Sequence, residues 1–214
     1  MDVAPKIRLK KYNWNSGETV SVTGFTWLNG QYITGKAFQT LVSQHTDSAQ
    51  SIKKLTNRLN GQFSFVVKRE NEVWLACSHT WNYPIFYCRQ KDQISISDDP
   101  EYLLEQISQP EADSFSKNYF LMFGVTPQNK TLLKQIHQVK PGEIVFLKGE
   151  QIRIFPFFEV ASKTPFQKAR EEKLQQSILF LFEKYFNYLK NKPVLLPLTS
   201  GYDSRLLTCL LKEF

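Results

Sequence analysis

Up to about residue 160, apolar positions recur at every second residue or at short helical spacings, and never in one long run. Residues 19–27, Thr-Val-Ser-Val-Thr-Gly-Phe-Thr-Trp, read as a β-rich strand, and Asn29-Gly30 behind them is a turn signal. Two short helical patterns follow, around Lys36–Ser43 and Ala49–Leu59, with Asn60-Gly61 as the C-terminal stop of the second. A block of strands comes next. Gln62–Lys68 and Glu72–Cys77 flank the polar turn Arg69-Glu70-Asn71, and Pro84–Cys88 and Gln93–Ser97 flank a second turn from Arg89 to Asp92. Paired strands with short polar turns predict antiparallel meanders.

Asp98-Asp99 then reads as a cap for a helix with Pro100 at its first position and an apolar stripe of Tyr102, Leu103 and Ile107. Ser116–Phe123 is a further helix, ended by Gly124 and Pro127. Lys140-Pro141-Gly142 is a turn between strands around Gln135–Val139 and Glu143–Leu147, and a last strand spans Gln151–Phe157. The composition shifts after Glu159. Thr164 with Pro165 opens a long helix running to about Leu189, with a stripe of Leu174, Ile178, Leu181, Tyr185 and Leu189. Pro193–Leu198 is a short, nearly all-apolar strand of the kind found at the centre of a parallel sheet, and Arg205–Glu213 is helical. The pattern predicts an α+β layer over residues 1–160 and the opening of an α/β domain over residues 161–214.

Composition narrows the class. The chain has 214 residues, 42% of them hydrophobic, with 17 Phe and 9 Tyr, which is enough for a sizeable core. No window approaches the length of a membrane span, and the N-terminus carries no apolar leader. Three cysteines, at 77, 88 and 209, are widely spaced and argue against a disulfide framework, so a reducing cytoplasm is the expected location. The net charge of +7 is scattered, and its densest group, Lys6, Arg8, Lys10 and Lys11, alternates along a strand pattern. That distribution reads as a solvated basic surface and not as a nucleic-acid footprint.

The segment Thr199-Ser200-Gly201-Tyr202-Asp203-Ser204 joins the last strand pattern to the last helix. A strand, a short Gly/Ser/Thr loop and a helix N-terminus form a geometry that binds phosphate, because the first-turn N–H groups and the helix dipole both face an anion. Gly201 would allow close backbone approach, and the hydroxyls of Thr199, Ser200 and Ser204 would add donors. Asp203, itself anionic, would hold Mg²⁺ or cap the helix. Such a loop is also a common plain connection. Cys77-Ser78-His79 places a thiol near an imidazole, but residues one or two apart on a strand point to opposite faces or sit too awkwardly for proton transfer, so a buried Cys and a surface His are expected. Three His without ligand spacing predict no metal centre.

Leu198-Thr199-Ser200-Gly201-Tyr202-Asp203-Ser204 resembles the pyrophosphate loop of glutamine-hydrolysing asparagine synthases, usually Leu-Ser-Gly-Gly-x-Asp-Ser. Thr199 stands at the Ser and Ser200 at the first Gly. The resemblance extends upstream. Leu59-Asn60-Gly61-Gln62-Phe63-Ser64-Phe65 is similar to Leu-x-Gly-x-Phe-Ala-Phe, Tyr83-Pro84-Ile85-Phe86-Tyr87 to the Pro-Leu-Tyr-Tyr strand, and Ile96-Ser97-Asp98 to Ala-Ser-Glu. Thr131-Leu132-Leu133, Ile136 and Val139-Lys140-Pro141-Gly142 resemble a further run ending in Leu-x-Pro-Gly. These motifs lie in family order over about residues 20–212.

The resemblance implies an N-terminal-nucleophile-type glutaminase, two β-sheets sandwiched between helices, followed by an α/β ATP-pyrophosphatase domain. It implies an activity in which a carboxylate, aspartate in the family, is adenylated by ATP with Mg²⁺ and then converted to an amide. Leu198 to Ser204 would bind the nucleotide, with Asp203 at the metal. The family's glutaminase uses an N-terminal Cys whose own α-amine assists the thiol, whereas this chain begins Met1-Asp2 and has Cys77-Ser78 where the family has Arg-Asp. Glutamine hydrolysis is therefore not expected. With one helix after the loop, the synthetase domain is expected to be incomplete, and its unpaired apolar strand would favour a homo-oligomer. The competing reading is a non-catalytic interaction or structural module built on the amidotransferase fold.

Overall fold

Phe63, Phe65 and Val67 leave the strand Asn60–Arg69 on one side and Val66 on the other, and both sides are buried. A strand with two apolar faces must lie in the interior of a layered fold. The structure, a computed structural model, describes residues 4–91, 93–158 and 171–213. The chain separates into two compact units, Met1–Val160 and Ala161–Phe214.

The first unit begins with β1 (Lys6–Arg8), β2 (Asn15–Ser16), β3 (Val20–Leu28) and β4 (Gln31–Thr34), followed by α1 (Gly35–Ser43) and α2 (Ala49–Thr56). Then come β5 (Asn60–Arg69), β6 (Glu72–Cys77), β7 (Phe86–Gln90), β8 (Gln93–Ser97), α3 (Pro100–Glu105) and α4 (Ser114–Phe123). The unit closes with β9 (Ile136–Gln138), β10 (Glu143–Lys148) and β11 (Gln151–Pro156). Among the described residues these make a seven-stranded sheet, β11-β10-β6-β5-β3-β2 with β4 also on β3, and a four-stranded sheet, β1-β8-β7-β9.

Residue parity assigns the layers. On the larger sheet Val20, Val22, Phe63, Phe65, Val67, Trp74, Ala76, Ile144 and Phe146 meet Phe38 and Val42 of α1 and Ile52 and Leu55 of α2. The opposite parity, Val66, Val73, Leu75, Cys77, Val145 and Leu147, meets Tyr87, Ile94 and Ile96 of the smaller sheet. The outer face of that sheet, Cys88 and Ile136, is covered by Leu103 and by Ile107 just beyond α3. Helices, sheet, sheet and helix therefore stack in four layers. Full burial of each large apolar side chain contributes about 1.5–3 kcal/mol, so the double-sided strands β5, β6 and β10 dominate the core.

Local chemistry accounts for most element ends. Asn29 and Gly30 have φ of 51° and 81°, the left-handed pair that a two-residue hairpin requires between β3 and β4. Asp99 caps α3 through the Glu101 amide, and Asp113 caps α4 through the Ser116 amide. Gly124, at φ 73°, ends α4.

Three expectations change. Asn60-Gly61 does not stop a helix: α2 ends at Thr56, and these residues start β5. Gly61 is required by packing, since a Cβ there would lie 2.3 Å from the Phe25 carbonyl oxygen on β3. Asp98 is not a helix cap. It is 1% exposed and accepts from the amides of Lys10, Lys11 and Tyr12 and from Trp14 Nε1, at 2.7–3.1 Å. The Lys140-Pro141-Gly142 turn lies between β9 and β10 as expected, and it carries the chain from the smaller sheet to the larger. The expected strand over Pro193–Leu198 does not form, since no described residue offers it a ladder partner.

In the second unit α5 (Glu171–Leu189) and α6 (Tyr202–Glu213) are the regular elements. Ile178, Leu181, Tyr185 and Leu189 of the predicted stripe line an apolar cavity of about 470 Å³ together with Leu196, Leu207 and Leu210. The helix opening expected at Thr164-Pro165, the composition change at Glu159, Asp92 of the second turn, and Met1-Asp2 lie outside the described residues. No helix among the described residues is long and apolar enough to cross a membrane.

Replacing Asp98 by Ala leaves three backbone donors and one indole N–H without their acceptor. Asp98→Ala is expected to destabilise the chain by about 3 kcal/mol, and Asp98→Asn by less, in urea titrations followed by tryptophan fluorescence. His137 sits against the Tyr87 ring, and its pKa is lowered by burial and then by Lys130. A folded-state pKa below the unfolded value of about 6.5 means that the unfolded chain binds the extra proton. Stability is then complete above about pH 6.5 and falls as the pH drops below it. His137→Gln is expected to flatten that loss when urea midpoints at about pH 7.5 and about pH 5.5 are compared.

Candidate functional site

Loop 199–204 is organised from within. Ser204, only 7% exposed, turns its Oγ inward, 3.0 Å from Thr199 Oγ1, where it accepts from the Thr199 amide at 3.1 Å. The same oxygen lies 3.1 Å from the Thr199 carbonyl oxygen and 3.2 Å from that of Gly201, and the Gly201 amide donates to Thr199 Oγ1 at 3.2 Å. The two hydroxyls therefore shape the turn and do not point outward as free donors.

Tyr202 begins α6, and among the described residues no side chain accepts from the amides of Tyr202, Asp203 or Ser204. Uncapped first-turn amides are donors available to an anion. Ser200, Tyr202 and Asp203 are exposed, and Leu198 is 68% exposed. The Arg205 guanidinium donates to the Ser200 carbonyl at 3.0 Å and stacks on Tyr202, 4.7 Å from the ring centroid. Asp203 stands in the first helical turn and is exposed. Gly201 is not left-handed, and a Cβ there would press on Thr199 Oγ1 at 3.2 Å. The structure thus brings Thr199, Gly201 and Ser204 into one turn and leaves Leu198, Ser200, Tyr202 and Asp203 at its rim.

In the first unit the cysteine chemistry is closed off. Cys77 is 1% exposed, with its sulfur 3.2 Å from Ser64 Oγ, and the Ser64 hydroxyl also reaches the Tyr83 carbonyl. Burial pushes the Cys77 thiol up to about 11, and burial does the same to Cys88. His79 is exposed and rests on Phe158, with ring centroids 4.4 Å apart, and its pKa is lowered by burial of the ring. Cys77 is the buried last residue of β6, whereas His79 lies beyond the strand and is exposed. No group of three or more His, Cys, Asp or Glu among the described residues is arranged to hold a metal.

With these sites in view, comparison with known proteins places the chain. The profile of the glutamine amidotransferase domain matches residues 41–158, more than half of the chain. The chain belongs to that family. It is 20% identical over 165 residues to asparagine synthetase (glutamine-hydrolysing) 1 of Bacillus subtilis strain 168, across 76% of this chain and 26% of the relative. It therefore spans about a quarter of the length of that relative. Among solved structures, the glutamine phosphoribosylpyrophosphate amidotransferase of B. subtilis, complexed with ADP and GMP, aligns over 67% of this chain and 30% of its own. The TM-score there is 0.38 and the identity 14%. A structure titled as the allosteric regulatory enzyme of purine biosynthesis aligns over 74% of this chain and 31% of its own, with a TM-score of 0.35 and 12% identity.

Sequence reasoning missed the buried Asp98 knot, because its donors lie 84 to 88 residues upstream. The available signal was two adjacent acids before Pro100, where a cap needs only one. A thiol-reactive probe such as iodoacetamide is expected to modify exposed Cys209 in the native chain and to spare Cys77 and Cys88 until denaturant is added. Mass mapping of the labelled peptides checks this.

Proposed function

We propose that the protein is an asparagine-synthase-like, ATP-dependent amide-forming ligase whose amidotransferase domain has the N-terminal-nucleophile architecture but does not hydrolyse glutamine. The observation that carries this reading is the turn 199–204. Its hydroxyls are engaged internally while the amides of Tyr202, Asp203 and Ser204 remain uncapped. Those donors, the dipole of a twelve-residue helix and a solvent-facing carboxylate at Asp203 suit the pyrophosphate end of MgATP.

Bound there, MgATP would supply activation of a carboxylate, aspartate or a related acid, with pyrophosphate leaving. Amide formation would then release AMP. The chain's own part is to hold the leaving phosphates: the first-turn amides share their negative charge, Asp203 keeps the cation in place, and Arg205 lies beside the loop to add positive charge. The sequence similarity to a glutamine-hydrolysing asparagine synthetase supports this acceptor class. Ammonia, and not glutamine, would be the nitrogen source, since the cysteines of the first unit are buried thiols with pKa values near 11.

The test uses the complete natural reading frame, with MgATP, a panel of amino-dicarboxylic acids, and either ammonium or glutamine. Pyrophosphate and AMP are expected to form with ammonium and not with glutamine. Ser204→Ala and Asp203→Ala are each expected to lower the rate by about tenfold or more. Absence of pyrophosphate release with every acid offered would remove the ligase reading.

A further inference from the structure

The inter-sheet layer of the first unit is not apolar throughout. On β5 the inward parity runs from Ser64 through Val66 to Lys68, so an ammonium occupies a position where a hydrophobic residue would continue the core. The neighbouring strand β3 sets Ser21 opposite Val66 and Thr23 opposite Ser64, giving a polar floor on the same face. Above it the smaller sheet narrows to β1, three residues long, whose Ile7 packs inward beside Ile96. The mismatch leaves a cavity of about 390 Å³ between the sheets.

Its walls divide by chemistry. Ile7, Leu9 and Val66 form an apolar side, and Lys68 and Lys10 bring positive charge to a rim that also carries Ser21. Glu18 is the lining carboxylate, and it does not approach either lysine within ion-pair distance. Lys68 is half-buried and makes no ion pair or side-chain hydrogen bond among the described residues, while its backbone amide is held by the Thr19 carbonyl at 2.7 Å. With no ion-pair partner among the described residues, Lys68 offers a cation that an anion entering the cavity would meet.

We infer that this inter-sheet cleft is a binding site for a small organic oxyanion, a carboxylate or a phosphate monoester, with Lys68 as its principal counter-charge. An apolar body would lie on Ile7, Leu9 and Val66 while the charged end meets Lys68. The site is independent of the loop at 199–204, and neither reading needs the other.

Isothermal titration calorimetry on the whole chain with succinate and with glycerol 3-phosphate tests it and separates the two sources of oxyanion. Saturable binding of at least one is expected, weakened about ten- to a hundredfold by Lys68→Gln and kept within about threefold by Lys68→Arg. Ser204→Ala is expected to leave it unchanged. Circular dichroism melts of both Lys68 variants should match the parent, since the side chain has no partner to lose. No saturable heat with either ligand overturns the inference. So does binding that Lys68→Gln leaves intact, or binding that Ser204→Ala removes.

Discussion

The fold of the first unit rests on one contact surface, the apolar layer between two β-sheets. β5, β6 and β10 are buried on both faces, so each must find two partners at once, helices on one side and a second sheet on the other. That demand places α1 and α2 outside the larger sheet and leaves the smaller sheet to be closed by α3. It also explains the cysteines. Cys77 ends β6 with the parity of the inter-sheet layer, and Cys88 takes the opposite face of the smaller sheet beneath Leu103. Both are packing residues with a thiol attached.

The smaller sheet has fewer strands than the larger, and its β1 edge is held by an unusual device. A single buried carboxylate, Asp98, gathers three consecutive amides and an indole N–H from the segment that follows β1. The four hydrogen bonds replace the water that the buried carboxylate lost. The same narrowing that makes an anchor necessary opens the cleft at Lys68. Anchor and cleft are two consequences of pairing a four-stranded sheet with a seven-stranded one.

The two units carry different kinds of chemistry. The amidotransferase unit supplies a rigid sandwich, and its thiols are sealed by burial. The second unit supplies a helix start whose donors are free because the nearby hydroxyls satisfy one another. Internal hydroxyl pairing of this kind holds the turn at Thr199 and Ser204 in one shape.

Much of the architecture was legible in residue order. Apolar runs at 19–27, 62–68, 72–77 and 143–147 bounded by polar turns named the strands, Asn29-Gly30 marked a turn, and Pro100 and Gly124 marked helix ends, because each rests on local backbone chemistry. Tertiary structure decided the rest. Gly61 is glycine because β3 passes 2.3 Å from where its Cβ would be, and Asp98 is acidic because a segment more than 80 residues away brings it donors. Pro193–Leu198 has the composition of a central strand but no ladder, since a strand exists only through hydrogen bonds to a neighbour. Propensity and periodicity are properties of a segment, whereas close approach, buried-charge satisfaction and sheet pairing are properties of two segments. Only the folded chain specifies which two segments meet.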